Sequence, residues 1–376
     1  MKRFLILFFL LTGLTAAAQS PRYTQFKEYR NQADTLRMKQ MLDDWGEKDP
    51  EFYAAWTNYC SVMADETEDP TWLEMAVNWA NLGREEFPDD ELLLHKQGEV
   101  FFDTEQFGKA LPVLQDIEKR GIGDVFTWYQ LSVLYGAKGD LAQSRRYLEK
   151  MIQEGDEEDR NYAQEVLASY DDLEHLADSL ALHPDHAAIK ELAQTPAFQE
   201  LTDRFAACDM TLTREEIASL YYGSSYLKDY NSVPSQCDDI KKMAEEGKIE
   251  EAKTALEAKL KDYPVSLFLL FSRFNLAEDE AEAAPYRWKI VHLLAVIDNT
   301  GKLYDTEHPF QVICVNDEYH ALNHVLGMEE FQSQAVVDGP LDKMDFLNEY
   351  GLEMTAYFYL TPPYWERLNS LFGGNK

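Results

Sequence analysis

The chain runs to 376 residues with a formal net charge of −33, from 35 Lys and Arg against 68 Asp and Glu. That balance excludes a generic binder of nucleic-acid backbones, which needs cations of its own to displace condensed counterions, and it disfavours anionic membrane surfaces. With 45% hydrophobic and 27% charged residues, the sequence is globular rather than disordered, and its length suggests about two domains at roughly 150 residues each.

In chain order, residues 1–18 read as an export signal. Lys2 and Arg3 form the positive start, Phe4 to Leu14 is apolar apart from Thr12 and Gly13, and Ala16-Ala17-Ala18 supplies small residues for cleavage before Gln19. The apolar run is too short and wrongly flanked to span a membrane. No Cys stands near the cut to carry a lipid. Cleavage leaves 33 basic against 68 acidic residues, a charge near −35. The expectation is an exported protein without membrane insertion, in the periplasm first and extracellular as the alternative. Residues 22–50 then predict a capping helix, with Leu36, Met41 and Leu42 among its apolar contacts.

The next hundred residues repeat at a spacing of 34. Leu94 and Trp128, Phe101 and Tyr135, Ala110 and Ser144, and Leu114 and Leu148 are related by that step. Cys60, Ala76 and Ala80 lie one step earlier. Three helix–turn–helix units follow, at 57–90, 91–124 and 125–158. Asp69-Pro70 and Gly139-Asp140 mark turns, with Pro70 and Asp140 placed to open second helices. Pro112 falls inside a second helix and is expected to bend it.

These residues resemble the tetratricopeptide repeat family. Its pattern wants a small residue at the eighth position of each unit, here Ala64, Gly98 and Ser132, and another at the twentieth, here Ala76, Ala110 and Ser144. Trp128, Leu131, Tyr135 and Pro88 also match. Ile117 and Met151 depart from the small residue of the twenty-seventh position, and Ile122 and Asp156 from the terminal Pro. The resemblance implies stacked hairpins whose first helices line a groove for partner segments. Carried over residue by residue, the groove positions are Asn58, Ser61 and Asp65, then Leu92, His95, Glu99 and Phe102, then Phe126, Tyr129 and Val133. None is Lys or Arg, so the family's clamp for a terminal carboxylate is not expected. The groove is expected instead to take an apolar, aromatic or basic segment of another exported or envelope protein.

Residues 159–206 keep helical patterning without the register. Thr213 and Glu216 form a capping box for a helix reaching Tyr221-Tyr222-Gly223. Gly247, Ala252, Leu256 and Pro264 mark another helical hairpin. A helix over 285–298 ends at Asn299-Thr300-Gly301. The period then falls to two. Phe310 to Val315 is expected as a central strand, followed by a helix from Asn316 to Leu326. Strands follow over 331–337, 344–347 and 352–360, separated by Asp338-Gly339-Pro340 and Asn348-Glu349-Tyr350-Gly351. The expected fold is mainly α: a tetratricopeptide-like helical-hairpin solenoid over 19–200, then a smaller α+β domain with an antiparallel sheet over 201–376. Tyr221-Tyr222-Gly223, Asp229-Tyr230-Asn231, Val315-Asn316-Asp317-Glu318-Tyr319 and Tyr357-Phe358-Tyr359 together resemble an uncharacterised domain family of exported bacterial proteins, which implies no activity.

Candidate chemistry is sparse. His320 and His324 share a helix face near His308 and Cys314, but Ala321 stands where an H-E-x-x-H site has its Glu, so they read as surface or partly packed histidines and no metal is expected. Asp317-Glu318 reads first as a helix start favoured by the macrodipole. Cys208 and Cys237 either pair in an oxidising compartment or remain thiols, while Cys60 and Cys314 read as small buried residues. No nucleophile elbow, phosphate loop or Cys/His signature is present, and no cofactor is implied. Tyr221, Tyr222, Tyr226 and Tyr230 offer either a platform for a ligand such as a sugar ring or a peptide chain or packing at the junction of two domains. The leading expectation is a protein-binding scaffold. The alternative is a glycan-binding module or hydrolase in the C-terminal domain.

Overall fold

A computed structural model of the chain describes residues 19–227 and 237–372. Residues 1–18, expected as an export signal, and Tyr230 lie outside the described residues. Internal contacts divide the chain into two compact units. One holds residues up to Leu173 with the turn Tyr350–Leu352. The other holds Glu174–Glu349 and the chain from Glu353 onward. The division therefore falls inside a helix, upstream of the boundary expected at residue 200.

The first unit is built from helices α1 (Pro21–Asn31), α2 (Thr35–Asp43), α3 (Pro50–Thr67), α4 (Thr71–Glu86), α5 (Glu91–Asp103), α6 (Phe107–Arg120), α7 (Val125–Ala137), α8 (Leu141–Glu154) and the start of α9 (Glu157–Leu180). The acid-rich composition is put to use at their starts. Asp34, Asp49, Asp90, Asp124 and Asp140 each accept an N–H bond from the first turn of the helix that follows, where carboxylates satisfy orphan donors and meet the positive end of the macrodipole. The single capping helix expected over 22–50 is two helices, because Ala33 adopts a left-handed backbone (φ 50) and Asp34 caps a new start. Pro112 lies inside α6, which runs on to Arg120.

The three hairpins α3/α4, α5/α6 and α7/α8 match the 34-residue units, with α3 starting earlier, at Pro50. The small residues of the repeat lie where helices press together. Ala76, Ala110 and Ser144 are fully buried. A Cβ at Gly98 would stand 3.0 Å from Leu114 Cδ2, so the absent side chain lets α5 approach α6. Leu94, Phe101, Leu114, Trp128, Leu131 and Leu148, read from the repeat, share one core. The helical-hairpin architecture is as expected.

The second unit contains α10 (His186–Leu192), α11 (Pro196–Ala206), α12 (Arg214–Ser224), α13 (Asp238–Glu245), α14 (Ile249–Asp262), α15 (Leu267–Asn275), α16 (Glu280–Asp298) and α17 (Val315–His324), then α18 (Pro362–Phe372) after the sheet. The Thr213–Glu216 capping box forms. Gly247, with φ 75, turns the expected hairpin α13/α14. Strands β1 (Phe310–Val312), β2 (Met328–Asp338), β3 (Leu341–Asn348) and β4 (Glu353–Leu360) make one sheet in the order β1-β4-β3-β2. The last three strands form an antiparallel meander, while β1 runs parallel to β4, with Phe310 opposite Phe358. The sheet is therefore mixed.

The apolar run at Phe310 forms a short edge strand rather than a central one. Its Phe310, Val312 and Ile313 are buried because helices cover it, and Tyr222 Oη donates to the Gln311 carbonyl at 3.1 Å. Apolar residues on both faces are thus explained by helix cover, not by a strand on each side. Among the described residues, no helix is long and apolar enough to cross a membrane.

Candidate partner-binding wall

The groove positions implied by the repeats lie on α3, α5 and α7, and the structure separates them into two groups. Asn58 is buried, and its Nδ2 donates to Tyr23 Oη of α1 at 3.1 Å. It is a contact between α1 and α3, so it is not part of an open wall. Ser61 is half-buried and returns its hydroxyl to the Thr57 carbonyl at 3.2 Å. His95 Nε2 lies 3.0 Å from the Ile122 carbonyl, and burial lowers its pKa against the pull of Asp124. Leu92 packs against the first core of the unit. Val133 is half-buried and Asp65 exposed.

Glu99, Phe102, Phe126 and Tyr129 belong to a second, continuous group. Phe102 meets Tyr129 with ring centroids 6.0 Å apart, Tyr129 stacks on Phe126 at 6.1 Å, and Tyr162 of α9 closes on Tyr129 at 5.5 Å. All four rings are half-buried, each showing part of its surface to solvent. Next to them, Glu99 accepts from Arg30 of α1 at 3.3 Å and from Lys96 one turn earlier. Burial by itself would raise the Glu99 carboxyl, but Lys96 and then Arg30 outweigh it and hold the group below its ordinary value. One turn further on, Asp103 is exposed. Desolvation first, then Glu99, raises its carboxyl to about 7 against the pull of Lys96 and Arg30, with Asp65 adding to the rise, and its own charge adds to burial in raising the Tyr129 hydroxyl.

The wall therefore contains cations that the repeat positions did not announce, although both are engaged by Glu99. Lys96, Asp103, Arg30 and Tyr162 were missed. Lys96 and Asp103 sit three before and four after Glu99, so helical spacing places them on its face. Arg30 arrives from 69 residues away by tertiary packing, and no local pattern signals it.

Tyr221 and Tyr222 are closed to a ligand. Tyr221 and Tyr222 are both 0% exposed in the core of the second unit. Tyr221 Oη donates to Asp317 Oδ2 at 2.7 Å, Tyr226 is half-buried, and Tyr230 lies outside the described residues. A ligand ring has no face of Tyr221 or Tyr222 to stack on, so packing accounts for the pair. His320 and His324 both stack on Phe271 of α15, at 4.6 and 4.3 Å, and His308 Nδ1 lies 2.8 Å from Asp305. Among the described residues no group of three His, Cys, Asp or Glu is arranged to hold a metal ion. Cys60 and Cys314 are buried, as expected, and Cys208 and Cys237 are not bonded to each other.

No curated protein matches the chain. Residues 185–367, which include α10 to α17 and the whole sheet, match the family model described as a domain of unknown function (DUF4919).

Proposed function

We propose that the first unit is a binding module for a segment of another exported protein, received along the wall of Phe102, Phe126, Tyr129 and Tyr162. The observation that carries this reading is the row of four half-buried rings, with the exposed Asp103 next to Phe102 on α5. Rings of this kind present apolar area at small entropic cost, and an acid beside them favours Lys or Arg in the segment that docks. A chain with a net charge of −33 steers cationic partners generally. Glu99, already neutralised by Arg30 and Lys96, contributes to the wall's shape rather than to its charge preference.

Selection of random linear peptides on the intact mature chain tests this. Enriched peptides should place Lys or Arg near an aromatic or aliphatic residue. Their affinity should fall about tenfold or more in Phe102→Ala and in Asp103→Lys, each removing on the order of 1.4 kcal/mol. Selected peptides that bind both variants as tightly as wild type would place recognition elsewhere.

A further inference from the structure

Glu318 on α17 and Asp342 on β3 are 0% and 3% exposed, and a single amide joins them. Gln334 Nε2 donates to Asp342 Oδ2 at 2.7 Å and to Glu318 Oε2 at 3.2 Å, while its Oε1 accepts from Tyr319 Oη at 2.9 Å. The remaining oxygens, Glu318 Oε1 and Asp342 Oδ1, are buried without a hydrogen-bond partner. The charged group nearest in sequence does not help, because Lys343 pairs with Asp345 at 2.7 Å and adjacent strand residues project to opposite faces.

Two ionised carboxylates in this position repel each other and each leaves an oxygen desolvated, which is costly in a dry interior. One proton changes the chemistry. A protonated carboxyl becomes a donor as well as an acceptor and removes one of the two charges. We propose that Glu318, facing Asp342 across the Gln334 amide, is a proton-operated latch between α17 and the outer margin of the sheet: with its carboxyl protonated β2 stays seated against the helix, and on its ionisation the site admits water and releases β2.

The element to be released lies at the margin of the sheet. Strand β2 is an edge strand whose residues 331–337 are all exposed. Its ladder with β3 is interrupted by three register shifts. Gln334 and the Phe331–Tyr319 ring contact at 5.8 Å tie it to α17. Segments with few buried contacts open first.

The groups acting on Glu318 favour the proton. Burial foremost, then Asp342 and Asp317, hold its carboxyl well above the ordinary range. Tyr319 on the same helix and Tyr364 on α18 lie within reach of its charge. The histidines of α17 turn to Phe271 instead.

Hydrogen exchange of the intact chain, corrected for intrinsic rates, is the test. Amides of residues 328–338 should lose about tenfold or more of their protection between about pH 6 and about pH 9. In Glu318→Gln, which keeps the shape without the charge, that loss should vanish, while α5 to α7 serve as an unchanged reference in both proteins. Side-chain carboxyl NMR of the wild type needs no variant and should show the Glu318 carbon titrating well above the ordinary carboxylate range. Protection that stays flat with pH, a variant that keeps the wild-type slope, or a Glu318 carbon titrating in the ordinary carboxylate range would each overturn the latch.

Discussion

Asp317 shows how burial turns a common acid into a pH-dependent element. It is 2% exposed and accepts from Tyr221 Oη. Burial raises its pKa to about 7, with the Tyr221 and Cys314 hydrogen bonds opposing. In the unfolded chain the same group ionises near about 3.9. The folded protein therefore keeps a proton that the unfolded chain has already lost. The stability Asp317 contributes is complete below about pH 4 and is lost as pH rises through about 7. Asp317→Asn retains an acceptor for Tyr221 and removes the charge. Thermal unfolding should show the variant stabilised over wild type at about pH 8, by on the order of 2–4 kcal/mol, with the advantage shrinking toward about pH 4. An equal effect at both pH values would mean that Asp317 is ionised in the native state. The sequence displayed Asp317-Glu318 as an ordinary helix start. Only the packing of α12, β2 and β3 around it reveals what the two carboxyls do.

At the scale of elements, the repeat spacing and the capping residues were legible because their physics is local. An Asp before an apolar-periodic run caps a helix wherever that helix ends up, and small residues recurring at 34 mark close helix crossings. Ala110, fully buried at one such crossing, makes this measurable. Ala110→Leu should lower stability by about 1–3 kcal/mol through overpacking, read as a fall in the denaturant midpoint at constant slope. A neutral result would mean that α5 and α6 do not meet tightly there. Position within the sheet was less legible. The run at Phe310 looked central because it is apolar throughout, yet helices rather than strands bury it. Residues 331–337 alternate as a strand should, yet all are exposed, since nothing in a strand's own pattern says where the covering helices stop.

For the whole molecule, charge and the N-terminal pattern lead to a prediction about where it acts. We propose that the full-length chain is exported, so that cell fractionation recovers it outside the cytoplasm with Gln19 as its first residue. Recovery in the cytoplasm with Met1 or Lys2 retained would remove the envelope from the functional reading. That reading also rests on which part of the chain makes contact with a partner. The first unit holds the aromatic wall, and the second holds the stretch that matches a domain of unknown function.

By itself, the sequence determined the mainly helical character, the hairpin stride, the turns and caps, and the strands of the final meander. Each of these depends on residues within a turn or two of one another, or on a strict periodicity. Tertiary structure alone decided that Asn58 is covered by α1, that Arg30 reaches Glu99, that Tyr221 and Tyr222 are core residues, and that Glu318 meets Asp342. In each case the partners come from segments distant in the chain, and burial depends on what packs over a residue, which its own neighbours in sequence do not specify.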